Sequence, residues 1–163
     1  MTMERSLVLL KPDTVKRCLM GRIISRFEDA GFKIIGMKMV RIDKDFGAKH
    51  YGDLAERRGQ KVLDVMLKFM TDGPVLAFCV EGINAVENVR KMVGGTEPKS
   101  ALPGTIRGDF AHISFAHADQ QEKAVANLIH ASGNVEEAKV EVELWFKEEE
   151  LHSYNTVHEA HVF

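Results

Sequence analysis

Asn127-Leu128-Ile129-His130-Ala131-Ser132-Gly133-Asn134 runs directly into Val135-Glu136-Glu137-Ala138-Lys139-Val140-Glu141-Val142-Glu143-Leu144-Trp145-Phe146, and the reading of this stretch decides the fold. An apolar couplet delivers one histidine to a turn of small residues, and a helix follows. Asn134 is a good N-cap and Glu137 stands three residues on, the spacing of a capping box. Ala138, Val142, Trp145 and Phe146 then repeat at the i, i+4, i+7, i+8 positions of a buried helical stripe. Glu141 lies three residues after Ala138 and four before Trp145, so it borders that stripe. A carboxylate on the core side of a helix needs a partner, and His130 is the nearest in sequence. A satisfied core histidine beside an ordinary helix cap explains this stretch, taken alone, equally well.

Composition sets the bounds. A length of 163 residues, 45% hydrophobic and 28% charged, fits one soluble domain over 1–163 with a real core. A net charge of −2 offers no electrostatic reason for a nucleic acid or an anionic membrane as partner. Cys18 and Cys79 are too few for a disulfide framework or a zinc cluster and fit a reducing compartment. Neither a signal peptide nor an apolar run of membrane-spanning length is visible, so a cytoplasmic protein is expected.

Outward from the opening stretch, residues 6–10 are continuously apolar, the pattern of a strand covered on both faces. Pro12 ends it, and polar neighbours cap a helical turn. Helices are predicted over 21–30, 46–54, 62–70 and 83–93, and strands over 33–42 and 74–80. A long irregular loop spans 96–108, and extended segments are expected at 110–115 and 125–130. The resulting order, β-α-β-α-α-β-α-loop-β-α, argues for one sheet with helices packed on it. A repeated split βαβ unit is the ferredoxin-like βαββαβ arrangement, an α/β (α+β) fold. The polar segment around 114–126 reads as a surface insertion, and 154–163 as an arm.

Two phosphate-binding motifs fail. Gly94-Gly95-Thr96-Glu97-Pro98-Lys99-Ser100 lacks the glycine before the lysine of a P-loop, and Pro98 removes a backbone amide. No Gly-x-Gly-x-x-Gly follows a strand. Pairs such as His112 and His117, or His158 and His161, lack a third ligand for a metal. More informative are Lys11 at the end of the first strand, Arg90 in the last turns of a helix, and Arg107 in the long loop. If the sheet folds as read, the three converge with His130 into a cationic pocket suited to polyphosphate.

Leu10-Lys11-Pro12-Asp13, His50-Tyr51, Arg90, Gly94-Gly95-Thr96-Glu97-Pro98, Pro103-Gly104-Thr105-Ile106-Arg107-Gly108-Asp109, Asn127-Leu128-Ile129-His130-Ala131-Ser132 and Glu141-x-x-x-Trp145-Phe146 occur in one order, and that combination resembles the nucleoside diphosphate kinase family. The resemblance runs from about residue 4 to about residue 154. It implies transfer of the γ-phosphoryl group from a nucleoside triphosphate to a nucleoside diphosphate. The route would be ping-pong through a phosphohistidine, with Mg²⁺ carried by the nucleotide phosphates and no metal site in the protein. By motif, His130 would be the nucleophile, Glu141 would orient its ring and Ser132 would support Glu141. Arg90, Thr96 and Arg107 would bind phosphates, Lys11 and Asn127 the sugar hydroxyl, with Lys11 also close to the migrating group. Tyr51 would line the phosphate end. A homo-oligomer is implied, with a hexamer as first expectation and a tetramer as second.

The imidazole chemistry agrees with this. A free histidine with a pKa near ~6.5 is roughly three-quarters neutral at pH 7. A carboxylate accepting one ring N–H leaves the other nitrogen free to attack. Three departures from the family pattern stand out. Val62 occupies the base-contacting position in Gln60-Lys61-Val62-Leu63, where the family offers an aromatic run, so the base side should bind weakly. Gly133 replaces an acidic residue, which puts the tethering of that turn in question. Residues 113–126 form a longer segment than the family carries. Rival readings are a histidine phosphotransfer protein without nucleotide specificity and a binding module that has lost catalysis.

Overall fold

The structure is a computed structural model that describes residues 3–157 and 159–162. Its centre is β1 (Met3–Leu10), whose second half is wholly buried. The alternation of side chains along a strand explains why an unbroken apolar run was needed there. Val8 and Leu10 enter one core cluster and Leu7 and Leu9 the other, on the opposite face of the sheet. β3 (Val75–Ile83) repeats the device, with Leu76, Phe78 and Val80 on the first face and Val75, Ala77 and Cys79 on the second.

Between β1 and β3 come α1 (Pro12–Lys16), α2 (Met20–Asp29), β2 (Lys33–Val40), α3 (Lys44–His50), α4 (Leu54–Arg58) and α5 (Gln60–Thr71). After β3 follow α6 (Ala85–Val93), a 3-10 turn at Pro98–Ser100, α7 (Ile106–Phe110), α8 (Phe115–Gln120), β4 (Ile129–Ala131), α9 (Val135–Trp145) and, in the terminal arm, α10 (Glu159–Val162). The sheet order is β2-β3-β1-β4 with every neighbouring pair antiparallel, the ferredoxin-like arrangement expected. α2 and α6 cover the first face through Ile23, Phe27, Val89 and Val93. α5 and α9 cover the second through Met70, Val142 and Trp145.

Several local expectations are corrected. No strand forms over 110–115. Thr105 accepts a hydrogen bond from the Gly108 N–H and Ser114 accepts one from the His117 N–H, so each caps a short helix instead. The helix expected over 46–54 is two helices, broken at Tyr51-Gly52. Ile83 belongs to β3, and Asn84 turns the chain in the left-handed region (φ 49°) before α6 begins. Only the last part of the extended segment at 125–130 is strand. The arm is tied to the β2 edge by the Tyr154 hydroxyl on the Ile34 carbonyl and by Lys33 with Glu159. His158 lies outside the described residues.

Gly108 follows Arg107 in α7, and a Cβ there would collide with the Leu102 carbonyl. Gly108→Ala should therefore cost about 1–3 kcal/mol in urea unfolding. Gly21→Ala, in α2 with open space around it, should instead gain up to about 1 kcal/mol.

Candidate active site

His130 is placed by pairing. It stands opposite Leu9 in the antiparallel β1–β4 ladder, and partners across a ladder point to the same face. Leu9 faces the core that α9 covers, so His130 projects toward α9. Immediately upstream the chain makes a γ-turn. The Ile129 N–H donates to the Asn127 carbonyl (2.8 Å), and Leu128 at its centre has φ 72°. Such a conformation costs a non-glycine residue about 1–3 kcal/mol and persists only where its surroundings impose it. Here the segment after β1 imposes it. The Leu128 N–H donates to Asp13 Oδ2 (3.0 Å), and its carbonyl accepts from the Lys11 N–H (2.9 Å) and the Thr14 hydroxyl (2.6 Å).

His130 Nε2 lies 2.9 Å from Glu141 Oε1, and the Ser132 hydroxyl donates to Glu141 Oε2 at 2.6 Å. Ser132 is itself pinned, because its Oγ accepts from the Leu7 N–H. Burial works to raise the Glu141 pKa. The hydrogen bond and charge of His130, with the Ser132 hydroxyl, outweigh it and hold the carboxyl below its ordinary value. An ionised Glu141 takes the proton-bearing nitrogen of His130, which leaves Nδ1 with a free lone pair. The His130 side chain is 22% exposed and that of Glu141 13%, so the imidazole is reachable while its acid is sheltered. The turn that joins them is tethered without an acidic residue at 133. Glu137 reaches back to the Gly133 N–H, and a Cβ at 133 would collide with that carboxylate.

Beside this pair lies a group of cations. Lys11, 4% exposed, donates to Asn127 Oδ1 at 2.8 Å. Burial, and then the charge of Arg107, push its pKa down to about 8 against the opposing pull of Asp13. Arg107 spends three N–H groups on the carbonyls of Asn127, Gly94 and Ile129 (3.1, 3.0 and 2.6 Å). A guanidinium has five such groups, so two remain for a ligand. Burial and Arg90 push the Arg107 pKa down to about 10, still fully charged at neutral pH. Cations that depress one another in a partly buried site mark a place where an anion would be welcome. Asn127 Nδ2 donates to the Thr96 carbonyl (2.9 Å), which brings that residue into the set.

The structure thus draws together His130, Glu141, Ser132, Lys11, Asn127, Thr96 and Arg107, with exposed Arg90 close enough to Arg107 to be felt electrostatically. Tyr51 joins through ring contact with His50, which in turn stands edge-on to His130 at 4.6 Å. Val62 is 42% exposed in the first turn of α5 and belongs to none of these bonds. Its neighbour Lys61 pairs with Glu122 (2.8 Å), so the 114–126 segment reaches the start of α5. The other end of that segment is fixed by the Phe115 N–H on Glu97 Oε1. Sequence reasoning quoted three participants without giving them a role. Asp13 holds Leu128, Leu128 carries the strained turn, and His50 packs on His130. The i, i+4 spacing of Glu141 and Trp145 was the available signal for His50, since Trp145 donates to it.

A sheltered carboxylate hydrogen-bonded to an imidazole, with clustered cations on a ferredoxin-like sheet, is an arrangement suited to phosphoryl transfer. The sequence profile described as Nucleoside diphosphate kinase matches residues 4–151. The nucleoside diphosphate kinase of Borreliella burgdorferi is 42% identical over 156 residues, covering 94% of this chain and 93% of that one. That of Pyrococcus horikoshii is 48% identical over 151 residues, covering 93% and 90%. A transition-state mimic of the Borrelia burgdorferi enzyme with bound vanadate and ADP superposes with a TM-score of 0.95 at 40% identity, covering 98% of this chain and 96% of that one. A Halobacterium salinarum nucleoside diphosphate kinase in complex with CDP gives 0.85 at 36% identity, with 99% of each chain covered. The chain belongs to the nucleoside diphosphate kinase family.

The depressed Lys11 can be measured directly. In the nucleotide-free protein its ammonium should titrate near 8, followed by NMR of the side chain. Asp13→Asn, which deletes the opposing negative charge, should move the midpoint lower still.

Proposed function

We propose that His130 carries a phosphoryl group between nucleotides in a ping-pong cycle. The observation that carries this reading is the Nε2–Glu141 hydrogen bond of 2.9 Å, which leaves Nδ1 free to attack. In the first half-reaction the Nδ1 lone pair attacks the γ-phosphorus in line. The bond to the β,γ-bridging oxygen breaks, and the nucleoside diphosphate leaves with the electron pair. The imidazole, now phosphorylated on Nδ1 and positively charged, is offset by Glu141. An incoming diphosphate reverses the step. Phosphoryl transfer asks chiefly for alignment and for positive charge around the migrating group. Arg90, Thr96 and the two spare N–H groups of Arg107 would hold phosphates, and Lys11 and Asn127 the sugar hydroxyl. Lys11 would also meet the migrating group, and Tyr51 would line that end.

Magnesium would arrive as part of the nucleotide substrate. Among the described residues, the group of three ligand-type side chains is His50, His130 and Glu141. Two imidazoles and an engaged carboxylate do not suit a hard cation that prefers oxygen and keeps its waters. Val62 would contact the base, flanked by the surface insertion around 114–126. A homo-oligomer, hexamer first and tetramer second, is what the family implies, and it would cover apolar surface such as Met37 and Met39 on edge strand β2. The free Cys18 and Cys79 fit a reducing, cytoplasmic setting.

Incubation with γ-labelled ATP and Mg²⁺ should put acid-labile, base-stable label on the protein, and GDP should remove it as GTP. His130→Asn should take no label. Label that GDP cannot remove would favour a phosphotransfer protein without nucleotide specificity, and no label on the wild type would favour a module without catalysis. On the base side, Val62→Phe should tighten nucleotide binding about two- to tenfold by calorimetry, the value of one aromatic stack.

A further inference from the structure

His50 is a second imidazole in this site, and the phosphotransfer cycle does not use it. Its side chain is fully buried at the end of α3 and stands against the His130 ring at 81°. Trp145 Nε1 lies 3.2 Å from His50 Nδ1. An indole N–H only donates, so Nδ1 must be the bare nitrogen and the single proton of the neutral ring must sit on Nε2. That Nε2–H has no acceptor among the described residues. The tautomer is therefore imposed from one side only. What it prevents is visible across the ring, because His50 Nδ1 lies 3.9 Å from Glu141 Oε1, the same oxygen that His130 Nε2 approaches to 2.9 Å. A protonated Nδ1 would be a second donor to that oxygen.

We propose that Trp145 is a positioning residue that locks His50 as the Nε2–H tautomer, so that Glu141 stays committed to His130. The arrangement follows from helix spacing. Glu141 and Trp145 are four residues apart on α9, on one face, and each holds one of two touching histidines. The indole is steadied by Phe46 of α3, edge-on at 4.9 Å. The groups facing His50 are Glu141 and Trp145 from α9, His130 from β4, Lys11 beyond β1, and its own neighbour Tyr51. Burial, with the positive charges of His130 and Lys11, overcomes Glu141 and pushes the His50 pKa down to about 3, so the lock is not opened by protonation near neutrality.

This inference rests on the phosphotransfer reading for its kinetic arm alone. In ¹⁵N-histidine-labelled protein, His50 (assigned by its loss in His50→Phe) should show a bare Nδ1 and a protonated Nε2 from pH 5 to 9. A protonated Nδ1 overturns the proposal. In Trp145→Phe nothing donates to Nδ1, so the neutral His50 ring can take the Nδ1–H tautomer and compete for Glu141. The ratio kcat/KM should fall roughly 10- to 100-fold, the usual cost of disturbing a group that orients a reactive histidine. The acid limb should stay unmoved, because burial and the neighbouring charges still hold the His50 pKa down. In the His50→Phe background the same Trp145→Phe change should leave kcat/KM unmoved. An equal loss in both backgrounds would make Trp145 a packing residue and overturn the proposal. Should the wild type take up no label from ATP, the function fails by itself. The His130 Nε2–H signal, expected in the wild type and depleted in Trp145→Phe, then still decides the positioning role.

Discussion

The site depends on one register. β4 contributes three residues to the sheet, and within them His130 faces Leu9 of β1. Side chains alternate with period two, so a slip of one residue would turn His130 toward α2 and α6 and send Ile129 toward Glu141. Three residues of ladder are little to hold a register. The γ-turn at Leu128 adds what the ladder lacks, because the Lys11-Pro12-Asp13-Thr14 segment grips both backbone polar groups of that residue. On the other side, Ser132 exchanges hydrogen bonds with Leu7 through both its backbone and its hydroxyl. The imidazole is therefore clamped at both ends to the buried half of β1.

Glu141 then meets it because α9 packs on the face His130 points to. Ala138, Val142 and Trp145 bury that helix against the second core cluster, and Glu141 sits at the margin of the same stripe. A carboxylate there is sheltered enough to interact strongly and is fully paired, by His130 on one oxygen and Ser132 on the other. An unpaired carboxylate in that place would be costly, and an exposed one would exchange its imidazole for water.

Most of this was legible in the chain. Period-two and period-3.6 patterns located β1, β2, β3 and the main helices, and the N-cap at Asn134 was read directly. The errors fell where a hydroxyl decides the backbone. Thr105 and Ser114 cap helices that the apolar residues Phe110, Ile113 and Phe115 had disguised as a strand. Within the site, His130, Glu141 and the cations carried recognisable chemistry. Asp13 and Leu128 did not, because holding a backbone in the left-handed region leaves no pattern in side-chain type. His50 was hidden for another reason. A buried histidine is informative only once its donor is known, and that donor, Trp145, was already explained as core.

The cations show why recognition and folding cannot be separated here. Arg107 holds the carbonyls of Gly94, Asn127 and Ile129, three points on two different segments, while Lys11 and Asn127 tie the end of β1 to the Thr96 turn. Burying like charges side by side is unfavourable, as the lowered pKa values of Lys11 and Arg107 record. Each carbonyl bond offsets part of that cost and fixes the direction of a charge. An anion entering the site meets donors whose orientation is already set, so little reorganisation is required when it binds. Asp13 relieves part of the repulsion among Lys11, Arg107 and Arg90, and further negative charge would relieve the rest. The same electrostatic imbalance that weakens the site favours the approach of an anion.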